Sequence, residues 1–181
     1  MKIVLNTCYG GFGLSYEAMA LYLAAKGERA YFYVDISNYH NYTKEPRYKR
    51  VSISEIDSSY NHRMITCTTK DQGEFLYDYP ENTFYYRDIP REDPILVFIV
   101  ETLGAAASGK FAELEVVEIP DGTLYKIDEY DGLESLITQD DDDWLKAEEN
   151  TLPSETKEKI QALWDIMKPA PQPDPDLTFK Y

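Results

Sequence analysis

The sequence predicts an α/β or α+β fold in a single domain, with a mixed β-sheet, packed helices and an N-terminal strand–glycine-rich turn–helix–strand unit. Three observations carry this. Lys2-Ile3-Val4-Leu5-Asn6 is a short apolar run, and helical periodicity begins just beyond the glycines that follow it. Later runs alternate, or are rich in β-branched residues, and are separated by Gly-containing turns. Two further stretches, near the middle and the end, carry apolar residues suited to buried or amphipathic helices. A chain of 181 residues is long enough for one domain with a full core. That domain is placed at residues 1–168, with a Pro-rich tail at 169–181 whose stretch Pro169–Pro175 cannot be helical.

The first helix is expected over Ser15–Lys26. Leu14, Ala18, Leu21, Tyr22 and Ala25 share one face, Ser15 suits the N-cap, Glu17 the first turn, and Gly27 the stop. Arg29–Val34 reads as the second strand, closed by Asp35. The short joints favour a parallel strand pair with a right-handed crossover.

Residues 36–70 are polar and aromatic, with a basic patch at Lys44–Arg50. Val51–Ile56 alternates as a strand would, and Met64–Thr69 is a stronger strand candidate. Gln72-Gly73 marks a turn, with Glu74–Tyr77 pairing back as a hairpin, and Thr83–Tyr86 is extended.

Asp93 and Pro94 form an N-cap and first helical position, and Ile95–Val100 is apolar all round, so a buried helix is expected, bounded by Gly104 and Gly109. Glu115–Pro120 reads as a strand whose antiparallel partner, across Asp121-Gly122, is Tyr125–Tyr130. Asp131-Gly132 is another turn, after which Glu134–Ile137 is expected to open a short helix. Asp140–Asp143 reads as a solvated loop, since a calcium loop needs spaced ligands and a glycine. Ser154–Lys168 is a last amphipathic helix with Ile160, Leu163, Trp164 and Met167 on one face.

Composition narrows the function. Cys8 and Cys67 are the only cysteines and His40 and His62 the only histidines, so neither a disulfide scaffold nor a metal centre is expected. There is no apolar run of membrane-spanning length, and the N-terminus lacks the pattern of a signal peptide. Residues 1–70 carry nine Lys/Arg and six Asp/Glu, whereas residues 71–181 carry nine and twenty-seven. The acidic half repels nucleic acid, and the mildly basic half holds the glycine turn.

That turn, Cys8-Tyr9-Gly10-Gly11-Phe12-Gly13, is the main candidate site. Glycines permit positive φ and close approach, and free N–H groups at a helix N-terminus attract anions. The candidate ligand-binding residues are Asn6, Cys8, Tyr9, Gly10, Gly11, Phe12, Gly13, Leu14 and Ser15, joined by Asp35, Arg87 and Arg91. Gly11-Phe12-Gly13 matches part of a dinucleotide fingerprint but lacks its third glycine, and no Gly-Lys-Ser/Thr follows. Asp35 lies 22 residues beyond Gly13, where a Rossmann-type site places an acid on ribose hydroxyls. Arg87 and Arg91 carry forks suited to phosphate. Among sixteen tyrosines, Tyr9, Tyr31 and Tyr33, with Phe12, are placed to stack a base.

The competing reading is a tight turn whose glycines serve its own geometry. Cys8 as a nucleophile would need His40 or His62 brought to it, and a plain buried thiol is favoured. Asp131 and Glu134 read as turn residues. No catalytic residue, metal or cofactor is assigned.

Met1-Lys2-Ile3-Val4, Asn6 and Cys8-Tyr9-Gly10-Gly11-Phe12-Gly13-Leu14-Ser15 together resemble the opening of a widespread family of small phage and prophage proteins. The resemblance returns at Arg87-Asp88 with Arg91, Asp93 and Pro94, at Glu101 with Leu103-Gly104 and Ala107-Ser108-Gly109, at Val116–Asp121, and at Tyr130-Asp131-Gly132 with Glu134. It covers the first 35 residues and residues 87–134. Where related proteins carry a basic patch before the tryptophan, this chain has Asp140–Asp143 before Trp144, which counts against anion binding by that loop.

The resemblance implies a phage-encoded protein acting in the bacterial host cytoplasm. It permits an anti-defence role: holding a nucleotide-derived immune signal, either a cyclic nucleotide or an ADP-ribose-type signal of Thoeris systems, without catalysis. The expected partner is that small molecule, with no direct nucleic-acid or membrane contact, and the oligomeric state, homo-oligomer included, stays open. Two alternatives stand beside it: an enzyme acting on a nucleotide or nucleoside, and an acidic inhibitor that imitates DNA.

Overall fold

The computed structural model describes residues 1–37, 46–56, 60, 63–138, 145–146 and 150–168. In chain order the elements are β1 (Lys2–Asn6), α1 (Tyr16–Ala25), β2 (Tyr31–Asp35), β3 (Tyr48–Val51), the one-turn α2 (Ile53–Glu55), β4 (Ile65–Thr68), β5 (Phe75–Leu76), α3 (Pro94–Leu103), β6 (Leu114–Glu118), β7 (Leu124–Tyr130), β8 (Leu133–Ile137), β9 (Leu145–Lys146) and α4 (Ser154–Met167). The fold is α+β, and every ladder among the described residues is antiparallel.

The apolar character of β1 follows from its position between two cores. Val4 joins the main cluster, while Ile3 and Leu5, on the opposite face, join a smaller one with Ile119 and Tyr125. A strand covered on both faces cannot alternate with polar residues. The main core is built by three helices against the second sheet. α1 supplies Ala18, Leu21, Tyr22 and Leu23, α3 supplies Leu96, Ile99 and Val100, and α4 supplies Ile160 with Leu163, Trp164 and Met167 at its margin. Leu96 and Ile99 are fully buried, and each contributes about 1.5–3 kcal/mol by leaving water. No helix of the described residues is long and apolar enough to cross a membrane.

Strand pairing departs from the sequence reading. β1 and β2 are not a parallel pair. β1 pairs antiparallel with β6, from Lys2 opposite Glu118 to Asn6 opposite Leu114. β2 lies in a four-stranded sheet of order β4-β2-β3-β5. The local pattern shows only that two strands flank a helix, and segments far along the chain decide which edge each one finds. β7 consequently pairs with β8 and β9 rather than with β6, and β5 pairs with β3 rather than β4.

Glu134–Ile137 is strand, not helix. Asp131 (φ 52°) and Gly132 (φ 85°) both take the left-handed conformation, so they form a two-residue hairpin turn that returns the chain alongside β7. Val51–Ile56 is not one strand either. β3 ends at Val51, and Ser52 opens α2 with a capping box, its hydroxyl accepting from Glu55 N–H and the Glu55 carboxylate accepting from Ser52 N–H. The full basic patch at 44–50, the acidic run at 140–143, His40, His62 and the tail at 169–181 lie wholly or partly outside the described residues.

The helix ends agree with expectation. Ser15 Oγ accepts from Ala18 N–H to cap α1. Asp93 Oδ1 accepts from Ile95 and Leu96 N–H at 2.8 and 3.1 Å, with Pro94 in the first turn of α3. Asp93 Oδ2 accepts from the Tyr22 hydroxyl and from Lys26, so one carboxylate caps α3 and ties it to α1. Burial, and secondarily that carboxylate, push the Tyr22 hydroxyl pKa well above its ordinary value. Asp93→Ala is expected to lower stability by about 2 kcal/mol, the upper end for a lost cap, because it also strands the Tyr22 hydroxyl. Urea denaturation checks this, and a loss under about 0.5 kcal/mol would contradict the double role.

Candidate ligand-binding site

The geometry of the glycine turn starts from Asn6, the last residue of β1, which is fully buried. Its Nδ2 donates to the carbonyls of Cys8 and Gly132, both at 2.6 Å, and its Oδ1 accepts from Glu113 N–H at 2.8 Å. A buried amide with its donors and acceptor spent on backbone has no capacity left for a ligand. Asn6 therefore shapes the turn.

The Asn6 backbone N–H donates to Glu134 Oε2 at 2.9 Å. Glu134 Oε1 in turn accepts from Arg91 Nη2 at 2.8 Å, with Arg91 Nε reaching both oxygens at 3.2 and 3.3 Å. Arg91 Nη1 donates to the Ile89 carbonyl, and the guanidinium sits 3.5 Å above the Phe12 ring centroid. Both partners of the ion pair are buried or nearly so. Arg91 and Phe12, each a candidate for a ligand's phosphate or base, are thus engaged with one another and with Glu134.

The glycines answer to the chain itself. A Cβ on Gly10 would land on the Phe111 carbonyl. A Cβ on Gly132 would land on the Gly11 backbone, and Gly132 already holds a positive φ. Gly13 O accepts from Gly109 N–H at 2.8 Å, which together with Ser15 N–H donating to Ala107 O aligns the turn antiparallel to residues 107–109. The turn is walled by residues 107–112 on one side and by the Asp131-Gly132 hairpin on another. The reading of a turn whose glycines serve its own packing holds for Gly10.

The amides are a different matter. Among the described residues, the N–H groups of Cys8, Tyr9, Gly10, Phe12, Gly13 and Leu14 donate to no protein acceptor. They lead into the N-terminus of α1. Around them stand exposed rings. Tyr9 is 65% exposed and Phe111 70%, with Lys110 Nζ 5.5 Å from the Phe111 ring centroid. Phe111 and Lys110 carry no motif, and only the contact of residue 111 with Gly10 reveals them. The Cys8 thiol donates to the Phe111 carbonyl at 3.2 Å and is half-buried. Leu14 is buried beside Ser108.

Among the described residues, no hydrogen bond or ion pair joins the other candidates to the turn. The Asp35 carboxylate accepts from the backbone N–H and hydroxyl of Ser37. With β1 and β2 in separate sheets, the side-by-side parallel strands that a Rossmann-type acid requires are not formed. Tyr33 is buried, its hydroxyl held by Asp71, Gly73 and Gln72, and Tyr31 lies under Arg29. Arg87 is exposed and makes no ion pair among the described residues. No group of three metal-ligating side chains occurs among the described residues.

No protein-family model matches the chain, and neither a curated protein nor a solved structure is significantly similar to it.

Two outcomes test this geometry. Glu134→Ala leaves the Arg91 cation buried without its partner and is expected to cost about 3–5 kcal/mol in urea denaturation. A near-neutral effect would show that the clasp does not hold the turn. Burial pushes the Cys67 thiol up to about 12, so at pH 8 only about one part in ten thousand is thiolate. A chromogenic disulfide reagent should then titrate Cys8 alone in the native protein and Cys67 only after unfolding. The native signal should vanish in Cys8→Ser.

Proposed function

We propose that the protein captures a phosphate-bearing, nucleotide-derived small molecule at the glycine turn and holds it unaltered. The observation that supports this most directly is the set of turn amides with no acceptor among the described residues, at the N-terminus of α1. Oriented N–H groups bind phosphate oxygens through short charge-assisted bonds and ask no proton transfer of the protein. Tyr9 and Phe111 add exposed aromatic faces for a base, and Lys110 adds a positive charge beside one of them. The resemblance of the opening motif to phage proteins supplies the setting, namely sequestration of a host immune signal of the ADP-ribose or cyclic-nucleotide class.

The test is mass spectrometry of small molecules released by heat after incubation with a panel of ADP-ribose derivatives and cyclic dinucleotides. An intact ligand near one per chain is expected. Tyr9→Ala, at an exposed ring, should weaken binding about tenfold (about 1.4 kcal/mol) without moving the urea midpoint. A chemically changed ligand would assign an enzyme instead. Nothing bound across the panel would remove the small-molecule reading and leave the acidic protein inhibitor.

A further inference from the structure

A cavity of about 910 Å³ opens between α1, the β2–β3 face and the C-terminal half of α4, and no residue of the glycine turn lines it. Its size falls in the range of small-molecule sites. Ala20, Ala24, Phe32, Val51, Leu163 and Met167 give it an apolar floor. The two alanines stand four residues apart on α1, so they share one helical face, and their short side chains leave the room.

The charges at its rim fall into two groups. Lys49 is paired with Glu55, and Arg50 with Asp71. Arg29 stacks over the Tyr31 ring, 5.4 Å from its centroid. Glu28 and Glu74 line the same cavity, and neither makes an ion pair among the described residues. The rim therefore carries four carboxylates, Glu28, Glu55, Asp71 and Glu74, against three cations, Arg29, Lys49 and Arg50, and Arg50 is also drawn electrostatically to Glu74. The net charge of −15 adds a field of the same sign.

We infer that this cleft is a binding site for a small amphipathic cation, an apolar or aromatic body bearing a protonated amine. The body lies on the alanine-lined floor, and the ammonium meets Glu28 and Glu74 at the rim. The site is separate from the glycine turn, which asks for the opposite charge.

The experiment compares three probes that share one ring system, tryptamine, 3-methylindole and indole-3-acetate, by calorimetry on the full chain. Tryptamine should bind about fivefold more tightly than the neutral ring, with the anion weakest, and added salt should narrow the gap. Glu28→Gln with Glu74→Gln should bring tryptamine down to the neutral analogue. Glu115→Gln, an exposed acid on β6, controls for the overall field and should change nothing. Ala24→Leu should fill the floor and weaken all three probes. Tyr9→Ala should leave tryptamine binding intact, so failure of the glycine-turn reading would not touch this one. Binding of the anion as tight as that of the cation, or tryptamine binding unmoved by the two rim substitutions, would overturn the inference.

Discussion

The bond between Glu134 and Arg91 decides more of this structure than any other single contact. Each charge sits where water barely reaches, and an unpaired charge there would cost several kcal/mol. The pair is tolerated because its geometry is nearly complete. The fork of Arg91 meets both carboxylate oxygens, Asn6 N–H supplies a third donor, and the Phe12 ring receives the guanidinium face. Through this group the end of β1, the approach to α3 and the β7–β8 hairpin are held together, although they are distant in sequence. Asn6 completes the clasp by bonding Gly132 and Cys8 carbonyls from the same buried position.

The form of the glycine turn is a consequence. Once the hairpin is drawn against it, and Phe111 against its other wall, side chains at Gly10 and Gly132 have nowhere to go. Glycine content here reports the crowding of the chain with itself. The amides between these contact points have no acceptor among the described residues, and they, with the exposed Tyr9 and Phe111, carry the binding proposal. Such a site suits an anion in a protein of net charge −15. Long-range repulsion is screened within about 8 Å at physiological salt, whereas hydrogen bonds from fixed amides act at contact. The alanine-floored cleft stands in contrast, because the one-carboxylate excess at its rim acts in the same sense as the field around it.

Signals that close within one turn of chain were legible in the sequence. Ser15 caps α1, Asp93 and Pro94 start α3, and Asp131-Gly132 makes a tight reversal. The Ser52/Glu55 capping box belongs to the same class, and the alternation of Val51–Ile56 hid it, since three residues of helix and three of strand show similar short-range polarity. The turn was legible as a place where backbone matters, but not the partners that crowd it. Nothing in Lys110 or Phe111 points back to Gly10, and Glu134 looked like an ordinary turn residue until Arg91 was beside it.

The sequence by itself determined α1, α3 and α4, the N-caps of α1 and α3, the apolar β1 and a domain of helices on sheet, with α/β and α+β both open, because each rests on hydrogen bonds or burial patterns between residues close in the chain. Only the tertiary structure decided that β1 pairs with β6, that β2 belongs to another sheet, and that a buried ion pair closes the glycine turn. An antiparallel partner is selected by which faces remain to be buried once the whole chain has collapsed. That choice depends on contacts more than a hundred residues apart in the case of Asn6 and Leu114, and no local window of sequence contains both sides of it.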